Sequence, residues 1–493
     1  MKTAIALALI GFVASTATAE LARHELRVPG SVQRVIATDI DGRGGPELLV
    51  FSVSGDLDPQ RHASVFAFDG GVDGAARSSW ILDREAGVFD LGEDPVEGPS
   101  LWYCTANAVR RYRLRDALKR APVAEAWLGS PSLLGGLSEE WVVSYDFVDD
   151  WHGTGRQTPA VFQPGRLVLP SSDLSKPPLV LPLRTEIDTT GPPASYEMLD
   201  QLPLLLTHRL PSLRRTDIDG DGRGDLVAAL GDRLAIYPGE VDGTYSTASQ
   251  RNLRFPSGAD PRDETRRQFI QLADVTGDGR ADAVLATLTG GFGNLIHEVA
   301  VFRSEGQGFA AKAANTLTKP GAAGLVTLAD LDVNGRQEIV TVTVEIGVTA
   351  LLSYLLTSRV PVDYDVYRVD ADGKIDGTPT LEWTRRVELQ STGATDAGVV
   401  TLAGDFDADG IRDVVSAIDD EEIEVRRVVR QGDRLELGEV IDEFAGPGRG
   451  QALAPDLNGD GRSDLVIYAP RAKEGVVTLF LSSGGTVMRK PPP

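Results

Sequence analysis

Aspartates at fixed offsets are the residues of this chain best suited to chemistry. The run Asp217-Ile218-Asp219-Gly220-Asp221-Gly222-Arg223-Gly224-Asp225 sets carboxylates at positions 1, 3, 5 and 9 of a short glycine-containing stretch. Oxygen side chains on alternating positions of a tight loop converge on one concave side. That arrangement suits a hard cation, and calcium takes about six to eight oxygens in a flexible shell. The glycine at position 6 permits a sharp reversal because it has no Cβ to clash at positive φ.

The pattern repeats. Asp405, Asp407, Asp409 and Asp413 match it in full, and Asp456, Asn458, Asp460 and Asp464 match with one amide. Asp330, Asp332, Asn334 and Glu338 are a conservative copy. Asp274, Thr276, Asp278 and Asp282 carry a hydroxyl at position 3, and Asp39, Asp41 and Glu47 form a copy in which Arg43 takes position 5. An EF-hand would need a bidentate Glu at position 12. That place is held by Val50, Ala228, Leu285, Thr341, Ser416 and Ile467, none of them a carboxylate. Asp-Gly turns without metal would account for one or two copies, but not for oxygen ligands at the same offsets in five.

Each loop is flanked by short apolar, β-favouring runs, such as Phe269-Ile270-Gln271-Leu272-Ala273 before one loop and Leu465-Val466-Ile467-Tyr468 after another. The reading is strand–loop–strand. Loop starts at 39, 217, 274, 330, 405 and 456 leave a long interval near the N-terminus, which two degraded copies fill. One begins at Asp150, with His152, Thr154 and Thr158 in the ligand slots; a weaker one begins at Asp90. Both are expected to hold no metal. Eight units result, each of about four strands. Such units repeating around an axis describe an all-β, single-domain β-propeller over residues 20–493, in which radial repetition leaves only short, protected edges. Eight four-stranded blades are expected, with seven as the alternative count. The segment from His24 to Gly30 has no earlier strands to join and is expected to close the ring on the sheet that starts near Gln451.

The loops resemble those of FG-GAP/VCBS repeats, the units of the integrin α-subunit propeller and of many exported bacterial proteins. This resemblance implies a seven- or eight-bladed propeller with calcium between the first two strands of a blade. It also implies that the loop residues named above are the ligands and that Arg223 contributes its carbonyl.

Composition narrows the setting. Lys2, the apolar run from Ile5 to Val13 and Ala17-Thr18-Ala19 read as a signal peptide over residues 1–19, so the protein is expected to be exported, periplasmic or extracellular. The stretch from Ile346 to Leu356 is too short to span a bilayer. One cysteine, Cys104, excludes an intramolecular disulfide, and a formal charge of −23 argues against nucleic acid or an anionic membrane as partner. No H-E-x-x-H, G-x-S-x-G, P-loop or G-x-G-x-x-G is present, and no catalytic residue or organic cofactor is assigned.

Calcium in these loops is read as structural. The function is expected on the opposite rim, where the connections at 290–297 and 346–363 are enlarged; the second contains Leu351, Leu352, Tyr354, Leu355 and Leu356, able to form a short apolar helix. The leading reading is a monomeric, non-enzymatic module that binds a protein or a glycan. A polysaccharide-active enzyme is the second reading, and a structural part of an envelope assembly the third.

Overall fold

Period-two burial explains how this chain packs. In Leu48-Leu49-Val50-Phe51 all four side chains are buried, yet they serve two different cores. Leu48 and Val50 pack with Leu457, Val466, Leu479 and Leu26, whereas Leu49 and Phe51 pack with Phe89, Leu101 and Tyr103. A strand whose alternate side chains feed two cores must lie between two neighbouring sheets. The same division recurs at Leu226 and Ala228 against Val227, and at Leu465 and Ile467 against Val466 and Tyr468.

The computed structural model describes residues 21–482 apart from 56, 69–73, 136–141, 191–204, 249, 256–265, 291–294, 307, 345–358, 389–399 and 433. Those residues form an eight-bladed β-propeller, with one blade split into two sheets and one further two-stranded sheet, and no helix occurs among them. Blade 1 runs Ser31–Thr38, Glu47–Ser54, Gln60–Phe66 and Ser78–Ile81, each strand antiparallel to the next. Blade 4 (Ser212–Thr216, Asp225–Leu230, Arg233–Tyr237, Arg251–Arg254) repeats this order. Blades 5, 6 and 7 do the same.

Ring closure follows the sequence expectation. Leu21–Arg27 pairs antiparallel with Val476–Ser482 in seven register positions, from Leu21 with Ser482 to Arg27 with Val476. It is the outermost strand of blade 8, whose other strands are Gln451–Leu453 and Leu465–Tyr468. Leu26 and Val28 then join blade 1 and blade 8 residues in one core.

Two blades depart from the pattern. In blade 2 the first turn is tight, joining Val88–Asp94 to Gly98–Cys104, and Val143–Ser144 adds to the inner edge in parallel. In blade 3 the second strand is broken at Ala160, between Thr158–Pro159 and Val161–Gln163. A hairpin of Glu186–Thr190 and Leu205–Arg209 leaves the ring between blades 3 and 4, which the repeat spacing did not anticipate. The short apolar helix expected around Leu351–Leu356 lies outside the described residues, and the end of the enlarged connection, 359–363, lies in the strand Arg359–Tyr367.

Candidate metal centres

Each acidic loop joins the first strand of its blade to the second, and its backbone is built the same way each time. Positions 4 and 6 both adopt positive φ: Gly220 and Gly222 at 75° and 83°, and Gly277 and Gly279 at 80° and 82°. Position 4 keeps that conformation even where it is not glycine, in Val333 (51°) and Ala408 (63°). Only position 6 was expected to need a left-handed residue.

Position 1 holds the turn together. Asp217 accepts the Gly220 N–H through Oδ1 (2.7 Å) and the Gly222 N–H through Oδ2 (2.8 Å). The Oδ2 bond to position 6 recurs in Asp39, Asp274, Asp330, Asp405 and Asp456 at 2.8–3.0 Å. Position 2 is apolar and points inward, with Ile40, Ile218, Val275, Leu331, Phe406 and Leu457 each at most 2 % exposed.

Position 9 ties the loop to its sheet. Asp225 accepts the Ile218 N–H (3.0 Å) with one oxygen and the Gly239 N–H (2.9 Å), just beyond the third strand, with the other. Asp282, Asp413 and Asp464 repeat this double anchorage on Val275 and Ser304, Phe406 and Val428, and Leu457 and Ser482. Burial pushes Glu47, Glu338 and Asp413 up to about 7 and Asp464 up to about 6, with neighbouring loop carboxylates pushing the same way. Asp225 and Asp282 rise for the same first reason. A cation among these groups would favour their ionised form.

Positions 1, 3 and 9 come together. Ligand oxygens of Asp39, Asp41 and Glu47 lie within 4.8 Å of one another, as do those of Asp217, Asp219 and Asp225, of Asp330, Asp332 and Glu338, and of Asp405, Asp407 and Asp413. These four groups could hold a metal ion. Position 5 stands apart from them: Asp221, Asp278, Asn334, Asp409 and Asp460 each accept the N–H of position 7 at 2.7–3.0 Å. Position 3 supplies the test of fit. Asp219 Oδ1 and Asp332 Oδ1 are buried without a hydrogen-bond partner, each within a group of three carboxylates. The other oxygen of Asp332 faces Arg368 at 2.8 Å and Arg430. Buried, unsatisfied carboxylate oxygens are costly unless a cation meets them. The residues present fit a hard, oxygen-ligated cation.

The remaining predicted residues are placed as follows. The first loop assembles its three acids even though Arg43 occupies position 5, with Arg43 Nε 3.2 Å from Asp41 Oδ2. The side chain of Arg223 pairs with Asp221 and donates to the Gly239 carbonyl (2.9 Å). At the 274 loop the Thr276 hydroxyl donates to Asp282 Oδ2 (2.9 Å), and at the 456 loop Asn458 Nδ2 donates to the Ser482 carbonyl (2.8 Å). Neither loop forms a three-carboxylate group among the described residues.

The degraded copies differ from each other. Asp150 accepts the Thr154 and Gly155 N–H groups at 2.8 and 2.6 Å, and Trp151 is buried at position 2, so the turn survives without the acids. His152 turns away, its Nε2 3.1 Å from the Pro170 carbonyl. Asp90 does not begin a loop at all. It sits inside Val88–Asp94, and its Oδ2 takes the N–H groups of Phe147 and Val148, both at 2.7 Å, binding blade 2 to blade 3. An aspartate two residues before a glycine read as the start of a degraded loop, whereas here it is a buried acid clamping backbone amides.

Sequence reasoning missed the links between loops. Gln337 N–H donates to the Asp274 carbonyl, Arg412 N–H to Leu331, and Ser463 N–H to Asp405, at 2.7–2.9 Å. Ser304 Oγ donates to the Ile218 carbonyl (2.8 Å) and Tyr245 to that of Trp151. Position 8, or the turn after the third strand, thus rests on the loop of the preceding blade.

An eight-bladed propeller whose blades open with aspartate-rich, metal-competent loops is the class this architecture defines. Residues 217–285, covering two consecutive loops, match the family described as FG-GAP-like repeat, and residues 450–481, in blade 8, match FG-GAP repeat. The chain carries FG-GAP repeats, and a propeller of such repeats is an interaction type of module. No curated protein matches the chain.

Proposed function

We propose that this protein is an exported, calcium-stabilised propeller that binds a protein or a glycan and performs no catalysis of its own. The observation that carries the calcium reading is the unsatisfied position-3 oxygen, buried beside two further carboxylates in the loops at 217 and 330. Support for a structural role comes from where the acids are used. The four groups lie in four different blades, and positions 1 and 9 bond to the backbone of their own loop and sheet. Export rests on the signal-peptide reading of residues 1–19, which lie outside the described residues. No helix among the described residues is long and apolar enough to cross a membrane.

Docking is assigned to the rim opposite the loops, through the connections at 290–297 and 346–363. Residues 291–294 and 345–358 lie outside the described residues, so their apolar sequence supports this reading. Calcium removal is the direct test. Binding to the folded state alone stabilises by about 2.7 kcal/mol per site when free metal is a hundredfold above Kd, so excess chelator lowers the melting temperature. Magnesium restores it poorly, because it demands a smaller and more regular octahedral shell. Unchanged melting in protein shown to be metal-free overturns the calcium reading. Equal partner capture with and without the two connections overturns the rim.

A further inference from the structure

We propose that arginines facing position 3 grade the cation affinity of the loops, and that Arg368 and Arg430 make the loop at 330 the last of the four triads to fill. The inference rests on the calcium reading and goes beyond it, because neither arginine belongs to a loop.

A guanidinium faces the position-3 carboxylate in each of the four loops that assemble a triad. Arg43 Nε lies 3.2 Å from Asp41 Oδ2, and Arg251 Nη2 lies 3.9 Å from Asp219 Oδ2. Arg427, on the third strand of blade 7, pairs with Asp407. Asp332 receives two. Arg368 Nη2 reaches it at 2.8 Å from just beyond the third strand of its own blade, and Arg430 reaches it from the third strand of blade 7. Arg368 Nε also stands 3.7 Å from Glu338 Oε1, so this side chain spans positions 3 and 9 of one triad. Where position 3 is uncharged, hydrogen bonds serve instead: Thr276 to Asp282, and Asn458 to Ser482.

Charge decides what these contacts do to a cation. Calcium affinity of an oxygen-lined loop is tuned by the number of its charged ligands. The loops at 217 and 405 bring four carboxylates each, whereas the loop at 330 brings Asp330, Asp332 and Glu338 with the neutral Asn334. Against those three carboxylates stand two guanidinia. The Asp332 side chain is 1 % exposed, so water screens little of the repulsion that a divalent ion meets there. Asp332 Oδ1 has no hydrogen-bond partner and is open to a cation, while Oδ2 is held by arginine. An ion on Oδ1 therefore shares one carboxylate with two cationic groups. At 217 the equivalent Asp219 Oδ1 is also unpartnered, but the guanidinium of Arg251 stands off at 3.9 Å from the other oxygen. Arg223 pairs there with Asp221 at position 5, outside the triad. The loop at 217 is thus placed ahead of the loop at 330.

The test is calcium titration of the full chain against a chromophoric chelator, with melting followed in parallel. Wild type should show more than one affinity class, and Asp332→Asn should remove a site from the weakest class alone. Arg430→Gln should tighten that class about tenfold, and Arg430→Lys, which keeps the charge, by less than about threefold. In excess chelator Arg430→Gln should melt below wild type, because Asp332 loses a counter-ion; in millimolar calcium the gap should close or invert. An arginine that merely braces blades 6 and 7 would leave the same gap in both. Should Arg430→Gln fail to fold, Asp332→Asn decides. Unchanged calcium constants in folded Arg430→Gln, or loss of the tightest class in Asp332→Asn, overturns the grading and leaves the calcium reading standing. A chain that binds no calcium overturns both.

Discussion

Replacing Asp464 by alanine should loosen the seam of the ring more than any change of charge alone would suggest. The carboxylate is fully buried and accepts five bonds: the N–H groups of Leu457 (2.7 Å), Asn458 (3.3 Å) and Ser482 (2.7 Å), the Ser482 hydroxyl (2.9 Å) and, at 3.5 Å, Asn458 Nδ2. Alanine strands three backbone donors, each costing on the order of 1–3 kcal/mol, so the total is roughly 3–9 kcal/mol. Asparagine keeps one acceptor for Leu457 and Asn458 but turns an amide toward Ser482 N–H, which strands one donor at about 1–3 kcal/mol. With unfolding entropy of about 2 cal/mol/K per residue, a chain this long shifts about 1 °C per kcal/mol, so Asp464→Ala should melt about 3–9 °C lower. Measurement in excess chelator isolates the hydrogen bonds from any metal. Amide exchange should then accelerate in Val476–Ser482 and Leu21–Arg27, because Ser482 faces Leu21 across the closing pair. Equal exchange in wild type, Asp464→Asn and Asp464→Ala would refute the reasoning.

Three further outcomes are expected. Val333→Gly should stabilise by about 1 kcal/mol, since a β-branched residue at positive φ costs about 1–3 kcal/mol and glycine returns less than that in chain entropy; a lower denaturation midpoint would contradict it. His297 is 4 % exposed, and burial, helped by Lys319, lowers it to about 4. The unfolded chain therefore takes up the proton first, and stability is lost as pH falls from about 6.5 to about 4, by roughly 3 kcal/mol in all. His297→Gln should flatten that part of a pH–melting curve, and an unchanged slope would exclude the assignment. Burial pushes the Cys104 thiol up to about 11. A thiol reagent at neutral pH should label it only as blade 2 opens, and rapid labelling of the native protein would contradict that.

The loops were legible because their chemistry is local. Positions 1, 2 and 6 each act within a nine-residue turn, so offsets along the chain carry them, and the repeat of those offsets carries the blade count. The left-handed requirement at position 4 was hidden because Val333 and Ala408 stand where glycine would have shown it. Position 5 also accepts the amide two residues on, a bond that spacing does not contain. Asp90 was misread for a related reason: its partners, Phe147 and Val148, are far away in sequence.

The pairing of Leu21–Arg27 with Val476–Ser482 also sets a timetable. During synthesis the outer strand of blade 8 emerges before blades 1 to 7 and its partner after them, so those blades can form while the final sheet stays open. Closing so long a loop comes late, and until then an unpaired strand edge is displayed. A chain cut short by premature termination would never hide that edge. Joining first strand to last therefore gives proteases a mark that separates finished molecules from unfinished ones.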